Sequence, residues 1–426
     1  MDGAEQDAPD PHSSVRAHRL TPMRGRDPHE RHRVATPLEL LFDLTFVVAF
    51  GVAASELSHM LAAGHVGAGI TGFVFSTFAI CLAWINFTWF ASAYDTDDWV
   101  FRLMTMVEMV GVLVLALGLP AFYASIEHGH HVDNAVLVAG YVVMRIALVG
   151  QWLRAAKQDP SRRAAAMTYV WIVAVVQVGW VGTVFLPTSV PVTLGAWVLL
   201  ALIELGGPMI AETKCGGTPW HAHHIAERYG LLAIIALGEG VGEGVVGTVA
   251  SLSAVVGEHG WSWDAVLLAI AGTALTFGMW WVYFMVPSAD ALHAHRERGF
   301  WFGYLHMPVY GAIVATGAGL HTAAYYIQHH SALGSVATVL SVVIPVGIYI
   351  ALVYVLYTLM LRSVDALHLL LVVLTALVLI ATVVLAAVGV PMALCLLVAS
   401  VAPMVSVAGF EIIGHRHVAA AVARQT

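Results

Sequence analysis

Residues 366–387 read ALHLLLVVLTALVLIATVVLAA, a run without a single Asp, Glu, Lys or Arg. As a helix rising about 1.5 Å per residue it is about 33 Å long, close to the thickness of a bilayer's hydrocarbon core. In lipid only helices and closed barrels satisfy their own backbone groups. The run is longer than a barrel strand and lacks strict alternation, so it reads as a helix. Outward from it in both directions, similar runs predict spans near 37–60, 67–93, 102–124, 134–155, 164–186, 192–212, 225–249, 264–287, 300–327, 335–360, 366–387 and 391–412. The sequence therefore predicts an all-α, polytopic transmembrane helical bundle of about twelve spans.

Composition points the same way. Of 426 residues, 59% are hydrophobic and 11% charged. A soluble domain carries about 25% charged residues, so this chain lacks the groups needed to cover a water-facing surface. The formal charge of −8 matters less than where the charges fall. Arg24, Arg26 and Arg33 precede the first span and Arg102 follows the second. Arg154, Lys157, Arg162 and Arg163 lie between the fourth and fifth, Lys214 and Arg228 flank the sixth loop, and Arg296, Arg298, Arg362 and Arg416 continue the series. All fall on one side of the predicted layer, while the opposite loops contain no Lys or Arg. By the positive-inside rule both termini are expected in the cytoplasm. Residues 1–34, rich in Pro, His, Arg and Asp, are expected to be a disordered cytoplasmic tail. Residues 414–426 are expected to form a second one.

Two stretches resemble each other. Trp84 to Asp95 ends the second span and Trp280 to Asp290 ends the eighth, each before a short loop bearing arginine. Val107-Glu108-Met109 and Leu305-His306-Met307 follow at matching places. Duplication of a six-helix unit, 35–213 and 214–413, explains the order. An even number of spans gives both copies the same orientation.

Charges inside the apolar runs mark the candidate sites. Thr36-Pro37-Leu38-Glu39 fits a capping box, with Pro37 at the first helical position. Asp43 lies one turn deeper, where a carboxylate costs a few kcal/mol and must face protein, water or a cation. Glu239 falls near mid-membrane, and Glu243 shares its face one turn on. The surrounding Gly238, Gly240, Gly242 and Gly244 make small-xxx-small patterns that allow close backbone approach and loosen the helix. Arg145 is a deep cation that needs an acidic partner, expected to be Glu239, Glu243 or another membrane acid. Glu108 also lies inside a span. Asp95 and Asp97 suit capping, or alternatively Asp95 with Arg102 forms a gate or latch at the cytoplasmic side. The 22 histidines include His221, His223, His224, His293 and His295, without a specific metal-ligand spacing, while His59, His306 and His321 could relay protons. Cys81, Cys215 and Cys395 are too scattered for a disulfide or zinc framework. No P-loop, dinucleotide fingerprint or nucleophile elbow occurs, so neither a catalytic constellation, a cofactor nor a nucleic-acid partner is expected.

The run Thr36-Pro-Leu-Glu-Leu-Leu-Phe-Asp43-Leu-Thr-Phe-Val resembles the opening motif of the bacterial low temperature requirement A (LtrA) family. So do Trp89-Phe-Ala-Ser-Ala-Tyr-Asp95-Thr-Asp97 leading to Arg102, then His224-Ile-Ala-Glu227-Arg228-Tyr-Gly, and Leu237-Gly238-Glu239. The resemblance runs through most of the chain beyond residue 33. It picks out Glu39, Asp43, Asp95, Asp97, Arg102, Glu227, Arg228, Gly238 and Glu239, and implies a bacterial cytoplasmic membrane. Gly240 stands where family members commonly carry a small polar residue. The loop after the second span lacks the Gly-x-x-x-Asp-Arg-x-Gly pattern of the major facilitator transporters, which share only the layout. The favoured expectation is a permease or ion- or proton-coupled transporter, with the lipid bilayer around it and a small cation or proton as its partner. A stress-response protein acting through partners and an intramembrane metal-dependent enzyme are the alternatives.

Overall fold

The computed structural model describes residues 20–30, 33–186, 188–240, 263–362 and 366–423. Every regular element among them is helical. The long helices are α1 (Pro37–Ala62), α2 (Val66–Tyr94), α3 (Trp99–His128), α4 (Ala135–Gln158), α5 (Arg163–Phe185), α6 (Val190–Lys214) and α7 (Ala222–Glu239). They continue as α8 (Trp263–Phe284), a short α9 (Ser288–Ala294), α10 (Gly299–Ile327), α11 (Ser335–Leu361) and α12 (Ala366–Ala387). The last predicted span is broken at Ser400 into α13 (Met392–Ala399) and α14 (Val401–Gly409), and a π-helical turn then leads into α15 (His415–Ala423). Glu243 and the Gly242/Gly244 pair lie outside the described residues.

Ten helical stretches among the described residues are long and apolar enough to cross a membrane. Neither α7 nor α10 is one of them. For α10 the reason is packing. It lies against α1, α2, α7 and α11, and most of its residues are buried, including His306, Tyr310 and Thr316. A helix enclosed by other helices meets protein on most of its surface and need not be apolar all round. At the other extreme, α12 buries few of its residues and is apolar nearly throughout.

Local chemistry sets the helix ends. The expected capping box at α1 is formed: Glu39 N–H donates to Thr36 Oγ1 at 3.3 Å and Thr36 N–H to Glu39 Oε2 at 2.7 Å. Asp98 caps α3 by accepting from Phe101 N–H at 3.0 Å. Gly129, with φ of 77°, ends the same helix in the left-handed conformation that glycine adopts most readily.

The expected disorder through residue 34 does not hold for residues 20–30, which form an extended strap across the arginine-bearing helix ends. Thr21 N–H donates to Asp98 Oδ2 at 3.1 Å, Met23 N–H to Gln158 Oε1 at 2.6 Å, and Arg26 N–H to Ala93 O at 3.0 Å. Met23 is fully buried beneath it. Polar sequence without periodicity concealed this segment, because its order comes from partners on other helices.

The two motif copies also differ in surroundings. Trp84 is fully buried, whereas Trp280 and Trp281 are 44% and 42% exposed.

Candidate functional site

The opening of α1 carries Glu39 and Asp43 on one face, and α7 brings His224 and Arg228 against it. All four side chains are excluded from solvent. Arg228 donates through Nε to Asp43 Oδ2 at 3.2 Å and through Nη2 to Asp43 Oδ1 at 2.5 Å, while its Nη1 lies 2.9 Å from Glu39 Oε1. Trp84 of α2 donates its indole N–H to Asp43 Oδ1 at 2.6 Å. Both Asp43 oxygens are therefore engaged. His224 Nε2 is 3.1 Å from Glu39 Oε1. The face of Trp84 also lies under the Arg228 guanidinium, 5.7 Å from ring centroid to carbon. Pairing and bidentate hydrogen bonding hold these charges where an isolated one would not be tolerated.

A rim of further charges closes this network. Arg33 Nη2 lies 3.5 Å from Asp95 Oδ2 and donates to Ala91 O at 3.3 Å. Glu227 accepts from Ala35 N–H at 3.2 Å, which fixes the entry into α1. The expected Asp95–Arg102 latch is not formed. Arg102 instead makes a two-pronged bond to Asp97, at 2.8 and 2.7 Å, on an exposed surface where such a pair is worth at most about 1 kcal/mol. Burial pushes the Asp95 carboxyl up to about 6, the Glu39 charge adding to the effect and Arg33 opposing it.

Arg145 belongs to a separate buried cluster on α4. Its partner is Glu204 of α6, which is another membrane acid and not Glu239. Tyr141 donates its hydroxyl to Glu204 Oε1 at 2.9 Å and also accepts from Arg145. Trp180 of α5 donates to Glu204 Oε2 at 3.4 Å. Glu108 of α3 is buried nearby and feels the Arg145 charge. The sequence analysis does not single out Glu204, although a carboxylate in the middle of the predicted span 192–212 is the same signal that marks Arg145.

Glu239 ends α7 and stands apart from both clusters. Its carboxylate lies against Gly51 of α1, where an added Cβ would be 2.5 Å from Oε1. Gly51 is eight residues beyond Asp43, about 12 Å along the helix, so Asp43 and Glu239 do not share one ion site. Glu239 lines a cavity of about 10 Å³ together with Ser55 of α1, His321 of α10 and the backbone at Gly240 and Gly317. That is room for about one water molecule. A Cβ on Gly317 would sit 3.0 Å from the Gly240 Cα, so the backbones of α10 and the end of α7 nearly touch. This is the close approach the small-residue pattern predicts for Gly240. Gly238 has open space on its Cβ side.

Between Glu239 and Arg228 lies a dry layer. Phe46 and Phe50 of α1, Tyr229 of α7 and Tyr310 of α10 fill it, each at most 1% exposed. Tyr310 donates its hydroxyl to Tyr229 O at 2.9 Å and ties α10 to α7. A larger cleft of about 560 Å³ between α1, α2, α10 and α11 is apolar apart from Thr77 and Ser341, and offers no charged group.

His221, His223 and His293 approach one another at the arginine-bearing end, with ring centroids 5.1–5.9 Å apart along the chain of contacts. Among the described residues no group of three or more His, Cys, Asp or Glu side chains is arranged to hold a metal ion.

Of the residues quoted from the motifs, Glu39, Asp43, Asp95, Glu227 and Arg228 thus converge on the α1–α2–α7 network, Asp97 and Arg102 pair on the exposed surface, and the Glu239 carboxylate lies at the level of Gly51, about two turns beyond Asp43 along α1. The family model for the bacterial low temperature requirement A protein (LtrA) matches residues 34–403. The chain belongs to this family. An uncharacterized protein of Rhizobium meliloti (strain 1021) is 26% identical over 299 residues, which covers 66% of this chain and 67% of that relative. No solved structure matches the chain. The LtrA match includes Glu39, Asp43, Asp95, His224, Glu227, Arg228 and Glu239, and begins one residue after Arg33.

Proposed function

We propose that this LtrA-family membrane protein is a permease or ion-coupled transporter whose ion site is Glu239. The observation that carries the proposal is the placement of one carboxylate in a water-sized cavity lined by α1, α7 and α10. An ionisable side chain inside a membrane bundle is costly and by default marks an ion or proton site. The Asp43–Arg228 network is the fixed partner of this site and locks α7 to α1 through bonds to both Asp43 oxygens. Glu243 is proposed as a second carboxylate of the same site on its spacing alone, one turn beyond Glu239.

The same proposal takes the chain as twelve spans in two similarly oriented six-helix halves, with both termini on the cytoplasmic side of the bacterial cytoplasmic membrane. The one-sided arginines support that orientation. The ordered pair of Trp-to-Asp motifs supports the halves.

The test is flux in liposomes holding the full chain, under imposed Na⁺, K⁺ and H⁺ gradients, for the wild type, Glu239→Gln and Asp43→Asn. Flux that is lost in folded Glu239→Gln is the expected result. Asp43→Asn is expected to lose thermal stability and to retain flux per folded molecule at a reduced level. Equal flux in wild type and Glu239→Gln would exclude Glu239 as the ion site.

A further inference from the structure

We infer that the ion taken by this site is the proton, and that it reaches Glu239 from the end of the bundle opposite the arginines, through His321 and His59. The inference rests on the transport proposal above and names its ion and its route.

The imidazole beside the carboxylate points to the ion. Among the described residues the polar side chains lining the cavity are those of Glu239, Ser55 and His321. Hard cations favour several oxygen ligands, whereas a neutral imidazole accepts a proton readily. Beyond the cavity the titratable groups continue in one direction. The His321 ring stacks on Tyr325 at 4.8 Å. His59 of α1 lies 6.5 Å from His321 and 5.7 Å from Tyr325, centroid to centroid, a gap that one bridging water spans. His59 is exposed and His321 half-buried, so the series runs from surface to interior. Glu56 lies about one turn before His59 on α1. A second acid–imidazole pair, His65 and Glu127 at 3.1 Å, sits at the same end. In the other direction the path is shut by Phe46, Phe50, Tyr229 and Tyr310, none more than 1% exposed.

The transfer is a simple exchange of protons. Water delivers a proton to one His59 nitrogen, and the other nitrogen releases one towards His321. His321 repeats the exchange and passes a proton to the Glu239 carboxylate, directly or through the cavity water. Glu239 becomes neutral, and each imidazole is left as its other tautomer until its ring turns over.

The experiment uses the full chain in liposomes with an entrapped pH dye and a potassium diffusion potential, alongside Na⁺ and K⁺ tracer uptake. Expected are dye-reported proton flux in the wild type, none in Glu239→Gln, and a fall of about a hundredfold in His321→Gln, the usual scale for loss of a positioned proton-transfer group. Added imidazole should restore flux to His321→Ala. If Glu239→Gln is silent while folded His321→Gln runs at the wild-type rate, the route is wrong and the ion site stands. If the wild type carries Na⁺ or K⁺ tracer without a dye response, the proton is wrong and the transport proposal stands. That arm needs no variant to fold. If the wild type moves none of the three ions, or Glu239→Gln matches it, the transport proposal itself fails and this inference with it.

Discussion

In a Gly51→Ala variant the added methyl would sit 2.5 Å from Glu239 Oε1. Ordinary carbon contacts lie at about 3.5 Å, so the carboxylate must withdraw by about 1 Å. The atom that gives way is the far end of a flexible side chain, so folding absorbs the change easily. An alanine inside a helix is also worth about 0.5–1 kcal/mol over glycine. Stability is therefore expected to hold or rise slightly. A displacement of about 1 Å at a reacting group can cost about a hundredfold in rate, so flux should fall steeply. Melting in detergent and dye-reported flux in liposomes, on the same preparation, read the two effects. Glu239→Asp added to Gly51→Ala shortens the side chain by one methylene and should recover part of the flux. A Gly51→Ala protein that melts like the wild type and transports at the wild-type rate would refute the reasoning, because the carboxylate's position against α1 would then be irrelevant.

Arg145→Leu is expected to cost about 3–5 kcal/mol, since it leaves Glu204 and Glu108 buried without their cation. Arg145→Leu combined with Glu204→Leu should regain most of that loss, and flux per folded molecule should be unchanged, as denaturation and dye assays would show. Asp95→Asn should raise stability by up to about 3 kcal/mol at about pH 7.5, the equivalent of a shift from 3.8 to about 6. The folded protein holds that proton more tightly than the unfolded chain between these values, so wild-type stability falls as pH rises through them. The advantage of the variant should accordingly shrink towards zero near about pH 4, and a pH series of melting temperatures measures it.

The bundle was legible in the sequence because apolar runs of bilayer length are a strong signal, and the α1 cap because Thr36 and Glu39 carry it at fixed spacing. The two helices that fall short of the apolar criterion are the ones other helices surround or whose far end lies outside the described residues. The sequence marks Asp43 as a membrane carboxylate and Arg228 as a motif residue, but the bond between them joins residues 185 apart in sequence. Periodicity and spacing are local and carry no information on such a pairing. The same limit hid Glu204 behind Arg145 and separated Asp43 from Glu239, which chemistry alone had grouped as two membrane carboxylates. His59 and His321 were marked only as residues able to relay protons, and their neighbourhood depends on how α1 crosses α10.

The strap at residues 20–30 has a consequence for how the protein is made. Its residues are made before α1 to α9, yet its partners are spread along those helices and the loops between them. Asp98 and Asp159 hold Thr21 and Gly25, His221 reaches Glu30 O at 2.9 Å, and His293 meets the His29 ring. The N-terminal segment must therefore wait, undocked, until α9 has been synthesised and its end of the bundle assembled. Closing so long a loop costs little more than closing a short one, because the entropy grows only with the logarithm of length. The strap is thus made ahead of the helices it fastens and docks fully only after them.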